Sequence, residues 1–467
     1  MFTIRDNHTL ATTPGGGLFT GGNLRTAAEA LGGLIESRSL VFSLCTNTVG
    51  SLCGYLSFLQ NRVVPVMLDA TMDRDLLGGL IETYRPAYAW APQTATSEEL
   101  FAAWRVKAEL YGYCLLENPE AGTERRHELY PELALLLTTS GSTGSPKLVR
   151  LTYENLRSNA ESIAQYLDIT ADERPITSLP MHYSYGLSVI NSHLLRGATL
   201  LLTPRSILEA EFWAFFREQG ATSLAGVPYT YQMLKRLRIQ RMELPTLKTL
   251  TQAGGKLGAE LVREFAEWAN KTGRRFVVMY GQTEATARMS YLPAGKAIEK
   301  SASIGIAVPG GEFAVIDADG REITVPETPG ELIYRGANVS MGYAETAEDL
   351  AVGDCNRGIL HTGDVAQFDA DGYLYIVGRL KRFVKIFGNR VNLDQAEQIA
   401  KLFVADCACT GVDDKLTIHM TDAAQGDIMR SYMAGKLGLH PSAIRIDIVS
   451  EIPKNSAGKV QYAQLQE

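Results

Sequence analysis

What this sequence lacks narrows its function before any motif is considered. Its six cysteines (Cys45, Cys53, Cys114, Cys355, Cys407, Cys409) are scattered, with no CxxC pair and no Cys/His spacing of the kind that holds zinc. They are expected to be reduced thiols of a cytoplasmic protein. Positive charge is in deficit, with 45 Lys and Arg against 52 Asp and Glu and a net charge of -7. That balance argues against a general nucleic-acid or anionic-membrane surface, so neither nucleic acid nor membrane is an expected partner. The opening MFTIRDNHTL has no charged n-region followed by an apolar h-region, so no secretory signal is expected. Internal repeats and low-complexity segments are absent.

Long hydrophobic runs are nearly missing too. Ser39 to Asn61 extends for 23 residues without a charge, long enough to raise a membrane helix. Thr46, Asn47, Thr48, Gly50 and Ser51 interrupt it, so it divides into a strand (40–44), a polar turn and a buried helix leading to a second strand (63–68). That is a βαβ unit. Further apolar runs at 133–137, 199–202, 223–227 and 276–279, with helical stretches between them, predict an α/β fold with parallel sheet.

With 467 residues, 45% hydrophobic and 21% charged, the chain is long enough for at least two domains of an ordinary globular enzyme. From about Ile304 the texture changes to short segments such as FAVIDADG, ELIYRG and YLYIVG, which predict antiparallel strands or a small barrel. After Gly378 comes GRLKRFVKIFGNRV with five cations, then predicted helices at 394–403 and 427–437 and strands near 416–420 and 444–449. The expected architecture is a large N-terminal domain (1–379) of stacked α/β sheets with a small β-barrel-like subdomain. A small mobile C-terminal α+β domain (380–467) follows it.

The strongest chemical signal is Thr138 to Lys147, TTSGSTGSPK, directly after the apolar run ALLL. Ser, Thr and Gly at this density free the backbone to wrap an anion with N–H groups and hydroxyls, while Lys147 adds a charge. A flexible linker is the ordinary meaning of a lone Gly/Ser run, but the buried strand before it and the Lys that closes it favour a polyphosphate loop. The GxxxxGK[ST] spacing is absent, so P-loop NTPase chemistry is not implied.

TTSGSTGSPK resembles the signature loop of the AMP-forming adenylate-forming superfamily, which includes acyl-CoA synthetases, adenylation domains of peptide synthetases and beetle luciferases. Six more segments resemble its motifs in order: LPMHYSYGL (179–187), QAGGKL (252–257), YGQTE (280–284), HTGD (361–364), GRLKRFVKIFGNRV and PKNSAGK (453–459). The resemblance runs from about Val41 to Lys459. It implies ATP-dependent activation of a carboxylic acid to an acyl-adenylate with release of pyrophosphate, then acyl transfer to a thiol of CoA or carrier-protein phosphopantetheine. An amine acceptor is the alternative acceptor, and a non-catalytic nucleotide- or acyl-binding relative is the alternative of another class.

The roles it implies are residue by residue. Thr139, Ser140, Gly141, Ser142, Thr143, Gly144 and Lys147 would hold the phosphates. Gly254, Gly255 and Lys256 would lie at the adenine side, with Tyr280, Gly281 and Gln282 beside the nucleotide. Thr283 would sit on the α-phosphate and Glu284 on Mg²⁺, as suits a hard oxygen ligand. Asp364, expected in a Gly-bounded turn after a strand, would accept both ribose hydroxyls, since a carboxylate has acceptor sites for two, with Arg379 beside it. Lys459 would be the catalytic lysine of adenylation, Lys381 a hinge, and Lys385 with Gly388 would act in the thioester step.

Departures from the family pattern carry information as well. The pocket motif places His182 beside Tyr183, leaving open which ring gates the carboxylate. LPMHYSYGL has no Asp to pair a substrate ammonium, so a free α-amino acid is not expected. Tyr183, Tyr229 and Met279 suggest a small or aromatic acid. The small domain is short, with CACTGVDDKLTIHM in place of longer connecting strands. The expected partners are a small-molecule acid and an acyl carrier protein, in a monomer or homodimer.

Overall fold

Leu40–Cys45 and Val64–Asp69 pair in parallel, joined by the helix Val49–Gln60, so the charge-free stretch is the βαβ unit its interruptions implied. Gly50 through Leu59 of that helix are all buried, which is why it carries no charge. It is packed by protein rather than lipid; among the described residues no helix is long and apolar enough to cross a membrane. Its small residues set the packing distance. A Cβ on Gly54 would come within 2.2 Å of Trp90 Nε1, and that indole donates to the Gly50 carbonyl at 2.9 Å.

The computed structural model describes residues 4–120, 128–138, 147–380, 382–387, 389–404, 406–412, 414–454 and 460–465. The βαβ unit belongs to an eight-stranded sheet whose centre is Leu133–Thr138, Val64–Asp69, Leu40–Cys45 and Tyr88–Pro92, all parallel. A nine-stranded sheet holds Thr9–Thr12, Leu200–Leu201, Pro175–Ile176, Ser223–Gly226, Thr249–Gln252 and Arg275–Tyr280 in parallel, with antiparallel strands at both edges. Helices Gly21–Gly32, Val49–Gln60, Tyr153–Tyr166 and Ser184–Leu195 lie between the sheets. Leu24, Leu52, Leu156 and Leu187 share one core there with Leu135 of one sheet and Leu200 of the other.

The predicted antiparallel texture is a four-stranded sheet, Gly311–Ile316, Gly330–Gly336, Ile359–Phe368 and Leu374–Arg379 in that order. Beyond it, Phe383–Ile386 and Asn389–Asn392 form a two-stranded ribbon. Helices Leu393–Lys401 and Gly426–Leu437 then pack on a three-stranded sheet with a core of their own, including Ile418, Met420, Met429 and Ile444. Cys407–Val412, to which sequence reading assigned no element, is a strand in a hairpin with Lys415–Met420. Its buried positions are small residues and thiols, which carry no alternating pattern.

One buried cation ties distant chain together near the end of the eight-stranded sheet. Arg150, 1% exposed, donates to the carbonyls of Tyr343 (3.1 Å), Asp349 (3.0 Å), Met341 (2.9 Å) and Gly353 (3.3 Å), and also to Val352. Five carbonyl dipoles stand in for the carboxylate a buried guanidinium would otherwise need. They hold residues 341–353 against Leu148–Thr152, to which Tyr343–Ala344 pairs. Replacing Arg150 with Met keeps the apolar stem and strands those acceptors. Arg150→Met is expected to lower the free energy of unfolding by about 3 kcal/mol or more, read by chemical denaturation. A midpoint equal to the parent's would show that the carbonyls find other donors.

Candidate functional site

The C-terminal ends of Ser223–Gly226, Thr249–Gln252 and Arg275–Tyr280 open on one side of the nine-stranded sheet, where parallel α/β sheets present their binding loops. From the last of these the chain enters Gly281 to Ala287 and returns as the antiparallel strand Ser290–Leu292. The turn is tight: Met289 N–H donates to the Tyr280 carbonyl at 2.9 Å, and a Cβ on Gly281 would meet the Ala287 carbonyl oxygen at 1.9 Å. Only glycine fits there. Thr286 takes φ +66°, rare for a β-branched residue, and its hydroxyl donates to the Asn338 carbonyl at 2.7 Å. Asn338 Nδ2 in turn donates to the carbonyls of Ala285 and Arg288.

Asp364 is the centre of the arrangement. It is 3% exposed; Oδ1 accepts from Arg379 Nε at 2.9 Å, and Oδ2 accepts from the Tyr280 hydroxyl and from Gln282 Nε2 at 3.0 Å. Sequence reading put Asp364 in a turn after a strand. It lies instead inside Ile359–Phe368, opposite Arg379 and next to a register shift, with Gly363 at φ +69° before it. The bulge re-aims the carboxylate toward Tyr280. Burial, followed by the nearby Asp364 charge and the hydrogen bond to it, pushes the Tyr280 phenol well above its usual range, so it stays a donor.

Thr283 and Glu284 follow on the same loop. Thr283 Oγ1 lies 3.2 Å from Ser184 Oγ at the start of helix Ser184–Leu195, and Glu284 Oε1 accepts from the Tyr343 hydroxyl at 2.5 Å. Lys147 pairs with Glu345 at 2.5 Å, its ammonium 5.7 Å from the Tyr343 ring centroid. Thr283, Glu284, Tyr343 and Lys147 are thus brought to one place.

The two candidate gating rings point to different neighbours. Tyr183 stands over Gly254, where a Cβ would meet its hydroxyl at 2.4 Å, and burial pushes its phenol up to about 12. Gly254 also sits at φ +83°, so backbone and contact both demand glycine. His182 faces Asp69 at 3.6 Å, and burial lowers its pKa against the opposing Asp69 charge, leaving a neutral ring. Met279 is buried beneath, its sulfur accepting from the Tyr166 hydroxyl at 3.0 Å, whereas Tyr229 is 49% exposed on the rim. Lys256 is within electrostatic reach of Asp394 and Lys401 on helix Leu393–Lys401.

Thr139 to Gly144, Lys381, Gly388 and Lys459, and the side chain of Lys385, lie outside the described residues. Tyr343, Ser184 and Arg288 were not singled out from sequence. Tyr343 meets Glu284 across 59 positions and Ser184 meets Thr283 across 99, separations no local pattern reports.

Comparison with known proteins places the geometry in context. A family model described as AMP-binding enzyme matches residues 20–344. A feruloyl-CoA synthase of Amycolatopsis is 29% identical over 352 residues, covering 70% of this chain and 68% of that protein. A 2-succinylbenzoate–CoA ligase of Bacillus pumilus is 27% identical over 377 residues, covering 77% and 75%. The solved o-succinylbenzoate CoA synthetase of Bacillus subtilis, in complex with an acyl-adenylate intermediate, shares the fold with TM-score 0.78. It does so at 20% identity, over 98% of this chain and 95% of that one.

The Asp364 cluster has a measurable signature. Asp364→Asn keeps the shape but sets an amide donor against the Tyr280 and Gln282 donors. It is expected to lower the free energy of unfolding by about 1–3 kcal/mol, and an unchanged denaturation midpoint would show that water satisfies the three donors instead.

Proposed function

The chain belongs to the AMP-binding enzyme family, and on that premise we propose that it activates a carboxylic acid with ATP, forming an acyl-adenylate and pyrophosphate, then transfers the acyl group to the thiol of CoA. The observation that carries this reading is the buried Asp364 carboxylate, fixed by Arg379, Tyr280 and Gln282 at the mouth of the parallel sheet, on the same loop system as Thr283 and Glu284. Two oxygens held in fixed directions suit a vicinal diol such as ribose.

Each remaining group has a role in this reading. Gly254, Gly255 and Lys256 border the adenine, and the loop Thr139–Gly144 with Lys147 wraps the phosphates. Thr283 donates toward the α-phosphate, where the acid's oxygen attacks in line and pyrophosphate leaves. Catalysis is largely positioning and charge neutralisation. Tyr183, over Gly254, borders the reacting carboxylate, while His182 is turned to Asp69.

Mg²⁺ would be held by Glu284 and would neutralise phosphate charge. The residues fit such an ion: Glu284 is a single carboxylate with one oxygen committed to Tyr343, and no group of three ligating side chains occurs among the described residues. Mg²⁺ asks for that little, taking most of its ligands from phosphate and water.

Division of the chain at 379/380 completes the mechanism. Lys459 and Lys385 lie on the small domain, and one rigid lid cannot present both to the same bound acyl group, so it turns at Lys381 between half-reactions.

Pyrophosphate exchange over a panel of carboxylates, followed by CoA-dependent release of AMP, tests the reading. Lys459→Ala should lower exchange by about 10² or more, while transfer from supplied acyl-adenylate survives. Exchange within a few-fold of the parent removes Lys459 from the chemistry. Lys381→Pro fixes one backbone angle and restricts Leu380, so it should still form adenylate but fail to deliver the acyl group. Equal losses in both half-reactions, at unchanged thermal stability, would show that no such alternation operates. Delivery to a carrier protein but not to CoA would correct the acceptor.

A further inference from the structure

Among the described residues of the large domain two guanidiniums are fully buried, and they are satisfied very differently. Arg150 spends its donors on carbonyls, as described above. Among the described residues Arg288, 2% exposed, has only the Tyr166 hydroxyl at 3.2 Å and the Met279 sulfur at 3.3 Å as hydrogen-bond partners of its side chain, with the Tyr185 ring centroid 4.9 Å from its central carbon. Its Nε has no hydrogen-bond partner among the described residues. The described groups that feel its charge are Tyr166, Tyr185 and His193, none of them a carboxylate. A cation taken out of water without an anion is costly, and a Met or Leu would fill the space without that cost.

Its surroundings point to the missing anion. Arg288 lines a cavity with Val189, His193, Ala225, Thr249 and Thr251. The other two charged side chains on that cavity are engaged, Glu173 with Thr222 and Lys248, Arg275 with Asp168. His193 gives its Nδ1 to the Val189 carbonyl at 2.8 Å, and burial pulls it down to about 4, so it is neutral. Two neighbours of Arg288 adjoin the reacting end along the chain: Tyr185 follows Ser184, which touches Thr283, and Met279 precedes Tyr280. The Arg288 backbone is pinned as well, its carbonyl accepting from Asn159 at 2.9 Å and Asn338 at 3.1 Å.

We propose that Arg288 is the specificity-determining cation of the acyl pocket, and that the acid activated here is a dicarboxylate whose second carboxylate is held by the Arg288 guanidinium while the first meets ATP beside Thr283. This rests on the adenylation reading above. Nε and a neighbouring guanidinium N–H are the paired donors a carboxylate accepts. An acid with an apolar tail leaves the cation buried and alone, so the same residue selects for diacids and against monoacids.

The test is pyrophosphate exchange with matched pairs, succinate against butyrate, glutarate against valerate and phthalate against benzoate, in the parent, Arg288→Met and Arg288→Lys. In the parent at least one diacid should exceed its monoacid by about 10²-fold or more in kcat/KM. Arg288→Met should abolish that preference by lowering the diacid and sparing or raising the monoacid, with Arg288→Lys retaining part of it. The melting temperature of Arg288→Met should equal or exceed the parent's, because an unpaired buried charge has gone. Without nucleotide, the preferred diacid should raise the parent's melting temperature but not that of Arg288→Met, and sodium chloride or phosphate at equal concentration should not reproduce the shift. Preference for monoacids in the parent, equal losses on both acids in Arg288→Met, or an Arg288-dependent shift with chloride or phosphate alone would overturn the proposal while adenylation stands. Exchange with neither series would remove the adenylation reading and this proposal together.

Discussion

A carboxylate that is almost fully buried must find donors, and Asp364 finds them on separate pieces of chain. Arg379 comes from the neighbouring strand of the four-stranded sheet, while Tyr280 and Gln282 come from the end of the nine-stranded one. Gln282 also donates to the Thr362 carbonyl at 3.0 Å, so two sheets of different topology are joined at a polar contact. The relation extends to the small domain. Asp394, ion-paired with Arg382, is raised by desolvation against the pull of Arg382 and Arg379, and it feels Asp364 as well. Removing charge at this point alters three parts of the molecule together.

Around that contact the large domain is built to keep loops short and side chains aimed. The helices between the two sheets are buried on several sides, which leaves the strand ends as the open surface. Glycine is used where backbone meets backbone or ring, at Gly281 and Gly254, and a positive φ is accepted at Thr286 where hydroxyl and amide partners hold it. One such strained position, Thr286, thus lies in the loop that the proposed chemistry uses.

Much of this was legible in the sequence because it is local. Parallel strands announce themselves as short apolar runs, and Tyr280 to Glu284 and His361 to Asp364 are contiguous motifs that stand out without coordinates. The strand Cys407–Val412 was not legible, since its small buried residues do not alternate. Asp364 was assigned to a turn because Gly363 reads as one, whereas the bulge keeps the chain in register with Leu374–Arg379. Arg288 was invisible for a different reason. An arginine four places after Glu284 is indistinguishable from a solvated charge until its burial, and the lack of a carboxylate partner among the described residues, are known.

The loop from Tyr280 to Met289 closes on itself, with Gly281 pressed against the Ala287 carbonyl and Met289 bonded to Tyr280. Its first half carries Thr283 and Glu284, and Arg288 stands at its far end. In the proposed reading nucleotide and acid would therefore share a single closed piece of backbone. Thermodynamic linkage then imposes a symmetry: whatever factor ATP contributes to the affinity for the acid, the acid must contribute to the affinity for ATP. Selectivity for the acid would in that way be felt by the nucleotide before any bond is made.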